Sequence, residues 1–149
     1  MNILALDPAT KCGYAHNQRR RIQSGTWDFR NGHFDGAGMC FLKLRRRLYD
    51  FRDFDLIVYE GVMGHTDAVY AQHKYGGFHA TITSFAEEHS IPYHGFPVGE
   101  IKKFWTGRGD AGKEQMIHKA RLEGFNPADD NEADAIAIWH LGHHCFGML

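Results

Sequence analysis

Cysteine is scarce in this sequence. Cys12, Cys40 and Cys145 form no CxxC pair and are odd in number, which argues against a disulfide framework and fits a reducing compartment. They are expected to be small core residues. No apolar run approaches the length of a membrane span, so no membrane partner is expected. The opening MNILALD lacks the basic-then-apolar order of a secretory leader, and a cytoplasmic address is expected. An excess of positive charge is also missing: at a net charge of −1 the chain as a whole does not advertise nucleic-acid binding. There is no internal repeat, low-complexity tract or linker, and 149 residues are enough to bury a core without staples. One domain over residues 1–149 is expected.

The distribution of charge says more than its sum. Positive charge gathers at residues 19–21 (RRR), 43–47 (KLRRR) and 101–103 (IKK), while acidic residues collect towards the C-terminus. Each basic run alone reads as a solvated face; together they can line a groove. Between them NILALD, CGYAH and RIQSGTWDF read as three strands joined by short turns, hence an antiparallel meander. GMCFLKLRRRLYDF has helical character, with Met39, Leu42 and Tyr49 as candidates for its inner face. FDLIVYE is then a buried strand ending in Glu60, reached by a crossover and so parallel to the first strand. A helix over about 68–89 and a short strand near 93–96 follow, then a loop PVGEIKKFWTGRGDAG and helices from Lys113 and from Asp130. The order is βββαβαβα with an additional late helix, an α/β arrangement.

In such a crossover the C-terminal ends of parallel strands emerge at one edge of the sheet. Asp7 and Glu60 both stand there. The last helix opens with Asp129, Asp130, Asn131, Glu132 and Asp134 directly before the apolar AIAIW. Asp129 with Glu132 resembles a capping box, and acidic residues in a first turn suit the positive end of the helix dipole. That account leaves out Asp134, which lies beyond the first turn; Asp130 and Asn131, four and three residues earlier, can each share its face. Three chain-distant carboxylates converging without a matching buried base would raise one another's pKa and destabilise the fold. A divalent cation removes the difficulty. Hard oxygen ligands suit Mg²⁺, with Mn²⁺ able to substitute, and two such ions about 4 Å apart serve phosphodiester cleavage.

Two other motifs point elsewhere. GRGDAGK supplies the GxxxxGK part of a phosphate-binding loop, but Glu114 stands where that motif needs Ser or Thr, and no buried strand leads into it. No nucleotide cofactor is expected. His140, His143 and His144 share a helical face, yet without paired ligands elsewhere they read as terminal surface histidines rather than a zinc site.

The segments ILALDPATKCGYA, LIVYEGV, GRGDAGKEQM and EADAIAIWH, in this order, resemble the RuvC-type Holliday junction resolvases of the RNase H-like superfamily. The resemblance covers nearly the whole chain. It implies a five-stranded mixed sheet flanked by helices, with strands 1–3 antiparallel and strands 4 and 5 parallel to strand 1. It implies a Mg²⁺-dependent endonuclease, with Asp7, Glu60 and Asp134 as catalytic metal ligands, joined by Asp130 or Asn131. Two ions per site, a branched-DNA partner and a homodimer follow from the same likeness. Lys102 and Lys113 match two basic residues that contact phosphates near the metal, and Lys103 and Arg108 lie beside them as further nucleic-acid contacts; Lys113 is also a catalytic candidate. Two positions depart from the pattern. Met63 stands where some bacterial members carry a stacking aromatic, which leaves stacking to Tyr70, Tyr75 or another aromatic, or implies a substrate broader than a perfect junction, and Asn131 stands where Asp or His is usual. Of the two neighbours, Asp130 is favoured for its charge. The substrates left open are a four-way junction, other branched DNA and RNA–DNA hybrid, and a non-catalytic DNA-binding module is the alternative to an enzyme. The helix over 68–89, with Gly76 and Gly77, is a candidate dimer interface, although those glycines can equally admit a neighbouring strand.

Overall fold

The strand Ile3–Asp7 (β1) buries its side chains on both faces, so it must lie at the centre of a covered sheet. In the computed structural model it pairs antiparallel with β2 (Lys11–His16) and parallel with β4 (Leu56–Val62). The sheet is completed by β3 (Gln23–Asp28) beside β2 and by β5 (Tyr93–Pro97), parallel to β4, giving the order β3-β2-β1-β4-β5. The structure describes all residues except 19, 52, 63–67 and 149, and only the backbone of Val62. Met63 and Arg19 therefore lie outside the described residues.

Alternation along β1 divides the core in two. Ile3 and Ala5 face one layer of helices, and Leu4 and Leu6 face the other. The second layer holds α1 (Met39–Tyr49) and α2 (Val69–Glu88); the first holds α3 (Val98–Thr106), α4 (Lys113–Leu122) and α5 (Asp130–Phe146). This is the five-stranded mixed sheet with flanking helices that the family resemblance implied.

Three expectations change. Residues 98–106 are a helix, not a loop: Ile101 and Trp105, one turn apart, are buried, and Gly107 closes the helix in the left-handed conformation at φ 86°. Lys102 and Lys103 thus stand on a rigid element. On α1 the inner stripe is Cys40, Leu44 and Leu48 at four-residue spacing, whereas Leu42 and Tyr49 are exposed and the Tyr49 hydroxyl donates to Glu88. Cys12 and Cys40 are core residues, but Cys145 is exposed.

Glycine decides how closely the last helix approaches the sheet. A Cβ built on Gly13, which pairs with Asp7, would lie 1.8 Å from the backbone oxygen of Asn131. Backbone on both sides cannot give way. Gly13→Ala is therefore expected to destabilise the fold by about 3 kcal/mol through overpacking, read as a lower urea midpoint. A melting curve overlying the wild type would show that α5 can move off β2 freely. Gly77 has a comparable role: its Cβ would meet the Phe41 ring of α1 at 2.3 Å. That glycine serves packing within the chain, while among the described residues a Cβ on Gly76 would meet nothing within 4 Å.

Candidate active site

Parallel pairing places Leu6 opposite Tyr59, so Asp7 and Glu60 follow one another out of the sheet at the same edge. The amino end of α5 crosses that edge, because Gly13 admits it. Asp7, Glu60 and Asn131 line one small hollow of about 110 Å³, together with Pro8, Ala9, Tyr75 and His79. A water's share of liquid volume is about 30 Å³, so the space fits a few waters or a partly hydrated ion. A larger open groove of about 740 Å³ runs along the outer side of α4 and contains none of these carboxylates.

The electrostatics follow from this convergence. Asp7 is held well above the usual carboxylate range by burial, and then by the charges of Asp134, Glu60, Asp130 and Asp129. Burial also raises Glu60, against the opposing charge of Lys102. Asp134 is pushed up to about 7 by burial and by Glu60 and Asp130, with Lys102 and Lys113 pulling it down. Three carboxyls that resist ionisation around one point are a site suited to added positive charge. Their donor set is all hard oxygen, as Mg²⁺ or Mn²⁺ requires. Among the described residues, no group of three or more His, Cys, Asp or Glu side chains is disposed to hold a metal ion as it stands.

The acidic stretch divides its labour. Asp129 is the N-cap of α5: its Oδ1 accepts from the Glu132 amide at 2.9 Å and from the Thr26 hydroxyl at 2.7 Å. Glu132 returns to accept from the Ala128 amide and from the Ser24 hydroxyl, both at 2.8 Å. These two residues bind the helix start to β3. Asp130 forms an ion pair with Lys113 at 3.4 Å while its charge still acts on Asp7 and Asp134. Asn131 faces the hollow.

Of the four basic candidates, the structure brings Lys102 and Lys113 to the carboxylates. Arg108 pairs instead with Asp110 at 3.2 Å and lines the open groove along α4. Lys103 is exposed in the last turn of α3. In the basic run of α1, Lys43 pairs with Asp35, Arg45 pairs with Glu88, and Arg47 lies over Trp27. The C-terminal histidines are absorbed by aromatic packing: His140 against Trp105, and His143 stacked on Trp139.

Sequence reasoning missed one residue of the hollow. His79 stands one helical turn after Tyr75 on α2, and its Nε2 lies 3.0 Å from the Glu60 carbonyl oxygen. The four-residue spacing of Tyr75 and His79, beside the buried Phe78 and Ile82, was the available signal.

No protein-family profile matches the chain. Crossover junction endodeoxyribonuclease RuvC from Anaeromyxobacter dehalogenans strain 2CP-1 and that from Anaeromyxobacter sp. strain K are each 41% identical over 61 residues, 39% of this chain and 33% of theirs. The aligned part thus spans a third of the length of these curated relatives. Among solved structures, Thermus thermophilus RuvC superposes with a TM-score of 0.71 at 19% identity, over 99% of this chain and 97% of that one. The T. thermophilus RuvC in complex with Holliday junction substrate gives 0.73 at 19% identity, over 93% and 90%. The yeast mitochondrial Holliday junction resolvase Ydc2 gives 0.60 at 11% identity, over 99% and 84%. In fold over nearly its whole length, and in sequence over part of it, the chain resembles the RuvC-type resolvases, and its fold is their RNase H-like fold.

Proposed function

We propose that the chain is a divalent-metal-dependent, structure-specific endonuclease that hydrolyses phosphodiester bonds in four-way or related branched DNA. The observation that carries this reading is the convergence of Asp7, Glu60 and Asp134 from two strands and a helix, each carboxyl raised by burial and the set flanked by Lys102 and Lys113. The likeness to RuvC, one of whose structures holds a Holliday junction substrate, supports the choice of DNA. Asp7, Glu60 and Asp134, with Asp130 or Asn131, would hold two Mg²⁺ ions, for which Mn²⁺ can substitute. When bound, such ions activate a water and stabilise the leaving oxygen. The chain's own residues do the rest. The carboxylates fix where that charge sits, and Lys102 and Lys113 offer ammonium groups to the phosphate.

Incubation of labelled four-way junction, Y-fork, linear duplex and RNA–DNA hybrid, each with and without Mg²⁺, tests the proposal. Cutting of the junction only with metal is the expected result. Preference for the hybrid would move the chain to another RNase H-like activity, and tight junction binding without any cutting would make it a binding module.

Lys113 opens α4, where its ammonium and the first free backbone N–H groups can meet an anion together. If it stabilises charge that develops on the phosphate, Lys113→Ala slows single-turnover cleavage about 30-fold while weakening junction binding only a few-fold. Equal losses in both would reduce it to a docking contact.

A four-way junction presents two equivalent scissile phosphates related by a two-fold axis, and a symmetric dimer can reach both in one encounter. The free face of α2 is the proposed interface: Val69 and Tyr70 are 63% and 72% exposed, and Gly76 leaves room for close approach. Light scattering is expected to give the mass of two chains plus that of the junction for the complex. A monomer mass both free and on DNA would defeat the dimer.

A further inference from the structure

Resting on the nuclease reading above, we infer that His79 is a positioning residue whose Nε2–H fixes the Glu60 carbonyl, and with it the aim of the Glu60 carboxylate. The pairing of β4 with β5 runs regularly from Ile57–Tyr93 to Glu60–Phe96, then slips, so that Val62 meets Pro97. Gly61 is the extra residue. A bulge of this kind loosens the ladder and re-aims the neighbouring side chain. The two strands also come unusually near each other here, since a Cβ on Gly61 would lie 2.6 Å from the Gly95 Cα. The backbone directly after Glu60 therefore departs from the regular ladder.

His79 supplies a constraint from outside the sheet. Its Nε2 is 3.0 Å from the Glu60 oxygen. A carbonyl can only accept, so Nε2 must be the protonated nitrogen. The ring is held in turn by its tilted contact with Tyr59 at 5.5 Å, and its helix is anchored by the buried Phe78 and Ile82. The bond thus ties α2 to the β4 residue whose carboxylate faces Asp7 and Asp134 against their repulsion. Because the ring also lines the hollow with Asp7, Glu60 and Asn131, a shift of its helix would reach the site directly. Misplacing a reacting group by about 1 Å can cost about 100-fold in rate.

Glutamine and asparagine separate this role from simple packing. A glutamine amide can place its nitrogen near the position of Nε2, whereas asparagine reaches only as far as Nδ1. His79→Asn is expected to slow single-turnover junction cleavage about 10- to 100-fold. Its junction affinity should stay within about two-fold and its melting temperature within about 3 °C, as for a partly exposed site. Its Mn²⁺ affinity without DNA, read by titration calorimetry, should fall several-fold, and His79→Gln should recover most of both losses. A long-range ¹H–¹⁵N spectrum of the metal-free wild type should show the Nε2–H tautomer. Wild-type cleavage by His79→Asn, equal impairment of the two variants, or an Nδ1–H tautomer would each overturn the inference alone. A wild type that cuts no branched DNA with or without metal overturns the nuclease reading, and the inference with it.

Discussion

Asp7→Asn is expected to lower cleavage by at least about 1,000-fold, to leave branched-DNA affinity nearly unchanged, and to make the metal-free protein more stable. The first two effects separate chemistry from binding. Asp7 sits among the carboxylates, while the charge proposed to meet the phosphate belongs to Lys102 and Lys113 on other elements. The third effect follows from repulsion. A carboxyl whose pKa is raised on folding binds more protons in the native state than in the unfolded chain. Its contribution to stability is fully present below the unfolded pKa and is lost as pH rises through the folded one. For Asp134 that window runs from the ordinary 3.8 up to about 7. In EDTA the melting temperature of the wild type should therefore fall between pH 5 and pH 8. Asp7→Asn should remove part of that slope and raise the melting temperature at pH 8. Divalent metal should restore the wild type and do less for the variant. Wild-type cleavage that survives EDTA would sink the metal requirement, and a less stable Asp7→Asn at pH 8 would show that Asp7 is a structural hydrogen-bonding group.

Asp130→Asn is expected to lower cleavage by about 100-fold, nearly as much as Asp134→Asn, with Asn131→Ala doing less and Glu132→Gln almost nothing. The ranking rests on charge. Two divalent ions held by three carboxylates alone remain undercompensated, and Asp130 adds a fourth negative charge that already acts on Asp7 and Asp134. Asn131 lines the hollow but offers only a neutral carbonyl oxygen. Glu132 accepts from the Ala128 amide with one oxygen and from the Ser24 hydroxyl with the other; a glutamine keeps the first with its single side-chain oxygen and can donate its amide to the Ser24 hydroxyl, which both donates and accepts. Single-turnover cleavage of a labelled junction at saturating Mg²⁺ measures all four. Should Asn131→Ala be the severe variant while Asp130→Asn cuts normally, the fourth ligand is Asn131, and Asp130 serves as the ion-pair partner of Lys113.

Strands β1 to β4 were legible in the sequence because each carries its own signal, a short apolar run closed by a turn or a run that a crossover must return parallel to the first, whereas the parallel place of β5 was implied by the family resemblance. Asp7, Glu60 and Asp134 were legible for the same reason, as charged residues at the ends of apolar segments that give them no local role. The cap formed by Asp129 and Glu132 is local chemistry, and its spacing shows it. Helix α3 was less visible, since its buried stripe is only Ile101 and Trp105 between a proline and a glycine. What pairs with what across the chain belongs to the tertiary structure alone. Nothing near Gly13 in sequence indicates that Asn131 rests on it, nor does anything near Gly77 point to Phe41. The division of Asp130 towards Lys113 and Asn131 towards the hollow is likewise set by where α4 and β1 stand. His79 reaches Glu60 across 19 residues for the same reason. Sequence period records which face of an element is buried; the neighbour on that face is chosen by packing of segments remote along the chain, and that choice leaves no periodic mark.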